Sequence, residues 1–545
     1  MPLLKLGPGQ TGSTKTTSFG CYGFNGGLNV KAVPQFVEEK DLIVAYNGYL
    51  RADGGFQMRN GMTLRDTVTG SGACLGLARF YQEIINGVIQ SPEIVKLLAQ
   101  INGNLYNADT QTLIGSIGAG ANPMTWVRAQ DPNDPNFVSG LTDVIVICTG
   151  VGGPYVYDGT NLYTPAGWSA ASGASWCALV NGVIWFGGIS ATPNQVFGTG
   201  TGQAGDSSME TLPAQRNFVF SGPVMGLCAQ GTGATAALVI GLNEGISVLS
   251  GTGYSNYYLQ DIPMSDGVTA GRTMIYYNGV IFWLGHNAVW VFDGQDPPQR
   301  ISDKIEPWIL NDAFIPGYPI TSNNGQTPWA KVYNNKLFLG YCSGLGITVP
   351  NTVLVYDLVV QGWTVLQSTP GLYCMTLLDA PGDANPTLPV VGSSSSAVVY
   401  NWDVEPTAGS DATDAGTAII CQFQSKYFKL GIPGTNKMLL RTYPEFFLSG
   451  PLNATFVVST DYGNDAYSNL VGVSYLSGAL WDVALWDVGL WGSGQAFNPY
   501  GFPVSRIDYQ GVEAESFSFG LTTVGSSAPW IFQGLTGSFS QKSAT

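Results

Sequence analysis

The chain is poor in charge. Of its 545 residues only 22 are Lys or Arg and 37 are Asp or Glu, so charged side chains make up 11%, against roughly 25% in an ordinary soluble domain. Because 45% of the residues are apolar and 12% aromatic, this is not the low charge of a disordered tract, and a large core can be buried. Basic residues are the scarcer sign. The net charge of −15 repels a duplex carrying one phosphate per ~1.7 Å, which argues against tight nucleic-acid binding. Histidine occurs once, at His286. A Ser-His-Asp triad has only that residue to build on, no G-x-S-x-G elbow accompanies it, and the C-x-x-C and H-x-x-x-H spacings of metal sites are missing. The residues therefore predict no catalytic site, no metal and no cofactor. No apolar run approaches the ~18 residues of a membrane span, and the start, MPLLKLGPGQTGSTK, lacks the pattern of a secretory signal. A soluble protein made inside the cell is expected.

Cysteines 21, 74, 148, 177, 228, 342, 374 and 421 are scattered, mostly within apolar segments such as VIVIC at 144–148. They read as small buried hydrophobes rather than disulfide partners. Acidic pairs of the kind a glycosidase needs occur at Glu38 and Glu39, Asp131 and Asp134, and Asp411 and Asp414. The four aspartates lie within two residues of Gly, Pro or Asn, where turn formation explains them. The stretch Gly198-Thr-Gly200-Thr-Gly202 has neither the G-K-[ST] ending nor the strand-then-helix setting of a phosphate loop.

Turn formers abound, with 72 Gly and 31 Pro and no collagen-like period. Between them stand short runs rich in β-branched and aromatic residues: 183–186 (VIWF), 236–240 (AALVI), 280–284 (VIFWL), 288–292 (AVWVF), 336–339 (KLFL), 353–356 (VLVY) and 398–400 (VVY). These read as strands. Helical periodicity is confined to short pieces near 77–85 and 306–311. Asn-led turns open apolar runs at Asn102-Gly103, Asn181-Gly182, Asn278-Gly279 and Asn334-Asn335, where a tight hairpin needs positive φ. A second signature ends an apolar-aromatic pair in Asp or Asn, at Tyr157-Asp158, Phe292-Asp293, Tyr356-Asp357 and Tyr400-Asn401.

A loose repeat of about 40–55 residues with four strands each is the pattern of a β-propeller; a pair of β-sandwiches is the competing arrangement. Segments 99–115, 144–163, 176–198, 225–251, 273–301, 331–366 and 373–403 give about seven blades. The polar stretch EPTAGSDATDAGT after Asp403 marks a boundary. The expected organisation is an all-β chain with an N-terminal arm and platform strands over 1–65, the propeller over 66–405 and a C-terminal β-domain over 406–545. Within the last part, ALWDV, ALWDV and GLWGS follow one another from residue 479, a period of five that fits neither strand nor helix. The loop either carries Trp481, Trp486 and Trp491 into a subunit interface or caps its own domain's core with them.

Three blocks carry a family resemblance. The first runs through Phe24-Asn-Gly26-Gly27-Leu28-Asn29, Pro34, Ala45-Tyr-Asn47-Gly-Tyr-Leu50-Arg51-Ala-Asp-Gly-Gly55 and Met58-Arg59-Asn-Gly61-Met62. The second holds Pro193-Asn194-Gln-Val196-Phe197, Gly245-Ile246-Ser-Val248-Leu249-Ser-Gly251, Asp266-Gly267-Val-Thr-Ala270-Gly271, the runs 280–284 and 289–294, and Arg300-Ile301-Ser302-Asp303-Lys-Ile305-Glu306. The third is 353–357 with Gly362-Trp363. In this order they resemble the tail nozzle, or tail tubular protein B, of short-tailed bacteriophages. The resemblance implies a structural virion component without enzymatic activity, assembled in the bacterial cytoplasm into a six-fold ring below the portal and adaptor. It further implies a lumen through which DNA passes without specific binding, and docking surfaces for tail fibres or spikes. Low charge and abundant aromatics suit a subunit that buries much of its surface against neighbours. The alternative is a receptor- or glycan-binding propeller at the tail tip.

Overall fold

Asn102, Asn181, Asn278 and Asn334 adopt φ of 46°, 51°, 47° and 47°, each followed by a second residue of positive φ. This is the two-residue hairpin turn their sequence calls for. Asn181, Asn278 and Asn334 join the first and second strands of a four-strand unit, which at Asn334 is part of a larger sheet. Asn102 joins the second and third, because the first hairpin of its sheet turns earlier, at Asn86-Gly87. The second signature closes the last connection of a unit. Asp158 Oδ1 accepts the N–H groups of Thr160 and Asn161, Asp293 Oδ1 those of Gln295 and Asp296, and Asp357 Oδ1 those of Val359 and Val360. Each is an Asx turn between third and fourth strands. Asn401 differs, lying inside the strand Val398–Val404.

The computed structural model describes residues 16–541 apart from 35, 119, 121, 133–139, 204–205, 255, 313–314, 322–326, 345, 379–387, 406–411, 431–433, 449–451, 464, 474–501, 504–506, 511 and 525–529. It is nearly all β. Antiparallel four-strand units occupy 74–116, 125–163, 176–219, 224–262, 275–300 and 329–366, blades 1 to 6, each contiguous in sequence. A composite seventh joins three strands of 372–404 to Gly61–Thr67. The first strands follow one another around an axis, that of blade 7 packing against that of blade 1. The chain thus closes its propeller by lending an N-terminal strand to the last blade, so the strand Gly61–Thr67 straddles the expected boundary at residue 65.

All seven sequence-derived segments fall on successive blades, but the helix expected over 77–85 is a strand, Cys74–Ile85, paired with Val88–Ile101. Its polar residues, which pass for a solvent face, are consumed by the neighbouring blade: Gln82 Nε2 donates to Asp158 O at 2.5 Å and the Glu83 N–H to Asp143 Oδ2 at 2.7 Å. Tertiary pairing overrides a weak local preference here. The other expected helix is present as the single turn Glu306–Ile309, started by a proline.

Most neighbouring blades meet through an apolar cluster of their own, such as Phe80 and Leu98 against Ile145 and Ile147 between blades 1 and 2. Blades 5 and 6 are the exception. Their cluster, with Phe282, Leu337 and Tyr356, continues into a body built from both ends of the chain, through Phe24, Phe56, Phe423, Trp530 and Phe532. In that body Thr16–Tyr22 pairs with Trp530–Gln541, which also pairs with Lys437–Leu448 and Phe56–Met58. Blade 6 is extended across its outer edge by Asp41–Tyr46, Ile420–Ser425, Phe517–Val524, Leu452–Thr460 and Asp465–Val473.

Candidate functional site

The seam between body and propeller joins motif residues to Lys31, Asp41 and Leu42, which lie between them in sequence. Gly26 and Gly27 let the N-terminal segment come this close: a side-chain carbon on Gly26 would stand 2.0 Å from Asp41 Oδ1, and one on Gly27, at φ +75°, 2.6 Å from the Trp363 nitrogen. Only glycine fits both positions. Leu28 follows in a short parallel pairing with Leu42. Asn29 Nδ2 then donates to Asp41 Oδ2 at 2.9 Å, and Lys304 Nζ, arriving from the link between blades 5 and 6, donates to Asp41 Oδ1 at 2.7 Å and to Gly26 O at 3.0 Å. Asp41 is fully buried, and a buried carboxylate requires such partners. One turn further on, Lys31 Nζ lies 2.6 Å from Glu306 Oε2 and Arg300 Nη2 donates to Glu306 Oε1 at 2.5 Å. These two hydrogen-bonded cations, Lys31 foremost, hold the Glu306 carboxyl below its usual value. Trp363, 1% exposed, donates from Nε1 to Ile301 O at 2.8 Å and packs on Tyr356 with ring centroids 4.8 Å apart.

A second knot sits where body, blade 6 and blade 7 meet. Arg59, with no exposed surface, forms a bidentate ion pair with Asp414, Nη1 to Oδ1 at 2.8 Å and Nη2 to Oδ2, and also donates to Asn47 Oδ1 at 3.2 Å and Gln367 O at 3.0 Å. Its guanidinium lies 5.0 Å from the centre of the Trp402 ring. Although burial alone lowers the guanidinium pKa, the hydrogen bond and charge of Asp414 raise it above its ordinary value.

Beside the seam opens a cleft of about 740 Å³, within the ~300–1,000 Å³ range of ligand sites. It exists because the outer strand of blade 5 is only Gln299–Arg300, too short to cover the flank of blade 6. Phe282, Val291, Tyr356 and Trp363 line it with apolar surface, Arg300 and Lys304 contribute cations already paired, and Asp303 is the acid in its lining. At one end Tyr277 OH bridges the blades to Asn335 Oδ1 at 2.7 Å. Such a lining can hold an apolar side chain flanked by hydrogen-bonding groups. It presents no nucleophile beside a base.

A smaller cavity of about 290 Å³ lies on the propeller axis, lined from all seven first strands or their approaches. Arg272 reaches into it from the start of blade 5, and its Nη2 donates to Leu75 O at 3.4 Å and Tyr373 O at 3.2 Å. Burial lowers the pKa of this guanidinium.

The interface candidates Trp481, Trp486 and Trp491 lie outside the described residues, as do Asp134 and Asp411. Glu38 and Glu39 are exposed, Asp131 is buried, and Asp414 is the partner of Arg59. His286 sits in an exposed hairpin turn, its N–H donating to Asp266 Oδ1 at 2.8 Å; Asp266 also accepts from Gly267, Asn287 and the Trp290 indole. No group of three potential metal ligands occurs among the described residues. Sequence reasoning missed the Asp41–Lys304 and Arg59–Asp414 pairs, although Arg59 and Lys304 stand within the motif blocks; nothing local tells which distant acid each will meet.

No protein-family model and no curated protein matches the chain. Among solved structures it is similar to BBS1N in complex with ARL6DN, at 8% identity and TM-score 0.35, over 64% of this chain and 98% of that one. A second is the extracellular domain of the one-component system BT4673 from B. thetaiotaomicron, at 11% identity and TM-score 0.39, over 81% and 58%. A third is the AfRom2 CNH domain, at 11% and 0.26, over 51% and 94%.

Proposed function

We propose that the chain is a structural, non-enzymatic subunit of a short-tailed bacteriophage tail, of the nozzle kind, which joins copies of itself in a ring around the path of the DNA. One observation carries the reading beyond the resemblance itself. The N-terminal motif, the segment 300–306 and the pair Gly362-Trp363, far apart in sequence, meet on one seam between propeller and body, where Lys304 Nζ donates to Gly26 O and Gly27 lies against the Trp363 backbone. A shared motif spent on joining two parts of a subunit is what an assembly protein needs; an enzyme would spend it on a reactive pocket. The cleft beside the seam then serves as a docking surface for a neighbouring subunit, the adaptor or a fibre. The net charge of −15 lets DNA slide past without counterion-release attraction. Negative-stain images of the purified chain, alone and with its adaptor, test the reading: six-fold rings with a central hole support it, and a strictly monomeric particle in both samples overturns it.

A further inference from the structure

Blade 1 and blade 7, the two ends of the ring, each present a cysteine to the junction that closes it. Cys74 opens the first strand of blade 1 and Cys374 lies in the first strand of blade 7, 300 residues away. Both are free and buried. Their closeness follows from Gly392, which stands opposite Cys374 in the pairing of Leu372–Leu378 with Leu388–Ser393. A side-chain carbon placed on Gly392 would lie 2.7 Å from each of the two sulfurs, so the sulfurs are no more than twice that distance apart. The missing side chain provides the space both thiols share. Cys374 Sγ also lies 3.4 Å from the Cys74 carbonyl oxygen, which brings one side chain onto the other's backbone.

Two further features make this pair chemically addressable. Cys374 borders the axial cavity of about 290 Å³, which gives a small reagent a way towards the pair. Arg272 hydrogen-bonds the carbonyls of Leu75 and Tyr373, the residues next to the two cysteines, and so ties the two strands together at the pair. We propose that Cys74 and Cys374 are a modification site: a dithiol that a low-molecular-weight disulfide oxidises to a cross-link, tying the first blade of the propeller covalently to the last. One thiolate attacks the reagent's sulfur and expels one reduced thiol. The second cysteine attacks the mixed disulfide and expels the other. Two protein thiols are oxidised by two electrons, one disulfide is reduced to two thiols, and no further reactant is needed. Because the hydrogen bond to Cys374 and burial push the Cys74 thiol well up while Arg272 pulls it down, the reaction is slow at neutral pH and quickens as pH rises. The link closes a loop far longer than any hairpin, and restricting the unfolded chain that much stabilises the ring.

The test uses the full chain, reduced and folded, incubated with oxidised glutathione from pH 7 to pH 9, then quenched and digested without reduction for mass spectrometry. The site predicts a peptide pair joined through Cys74 and Cys374, six alkylatable thiols after denaturation in place of eight, faster reaction at the higher pH, and a higher urea midpoint for the oxidised protein. In Cys74→Ala the remaining Cys374 keeps glutathione attached, whereas in Cys374→Ala, which lacks the cysteine bordering the cavity, the buried Cys74 stays unmodified. Eight thiols surviving throughout, glutathione retained on both cysteines of the unaltered chain, or a cross-link between another pair would each overturn the proposal.

Discussion

At the scale of single residues, the fold depends on a few polar contacts placed where the chain crosses between its parts. Arg59 is the most heavily used, joined to Asp414, Asn47 and Gln367 within an otherwise apolar junction. Leaving its partner buried and unpaired costs about 3–5 kcal/mol, so Arg59→Leu should shift the urea midpoint strongly, and more than the exposed Arg441→Leu, whose pair with Asp508 is solvated. Gly26→Ala should cost about 1–3 kcal/mol by overpacking, since its new carbon meets the Asp41 carboxylate. Glu306 supplies a pH dependence. Its folded-state pKa is depressed from the ordinary 4.5 by Lys31 and Arg300, so its contribution is present above pH 4.5 and fades as pH falls through the depressed value. Unfolding midpoints measured from pH 6 down to pH 3 should fall less in Glu306→Gln than in the unaltered chain.

At the scale of elements, the sequence was readable wherever a turn imposes its own chemistry. Asn278 at φ 47° predicts that Asn278→Gly is tolerated while Asn278→Ala costs about 1–2 kcal/mol, a difference visible in thermal unfolding. The same local necessity made Asp158, Asp293 and Asp357 legible as strand ends. What was not legible depends on distant partners. The strand Cys74–Ile85 resembled a helix because Gln82 and Glu83 find their acceptors, and Glu83 its donor Arg128, in blade 2. Gly61–Thr67 gave no sign that it would pair with Val398–Val404, more than three hundred residues away. At the candidate site, Gly26, Gly27, Lys304 and Trp363 stood in the motif blocks, but their convergence with Asp41 is a property of the folded chain alone.

At the scale of the molecule, two ends of one chain make a body that merges with the core of blades 5 and 6, while the remaining blades keep separate clusters. That construction fixes propeller and body together beside the cleft between blades 5 and 6. The acidic surface predicts that the chain does not retard duplex DNA in a gel at physiological salt, despite its proposed place around the genome's path. The decisive quantity is the mass of the purified assembly by native mass spectrometry. A hexamer of about 346 kDa, six times the 57.7 kDa chain, is the expected result with or without the adaptor; a species that stays at the mass of one chain, even with the adaptor supplied, would contradict it.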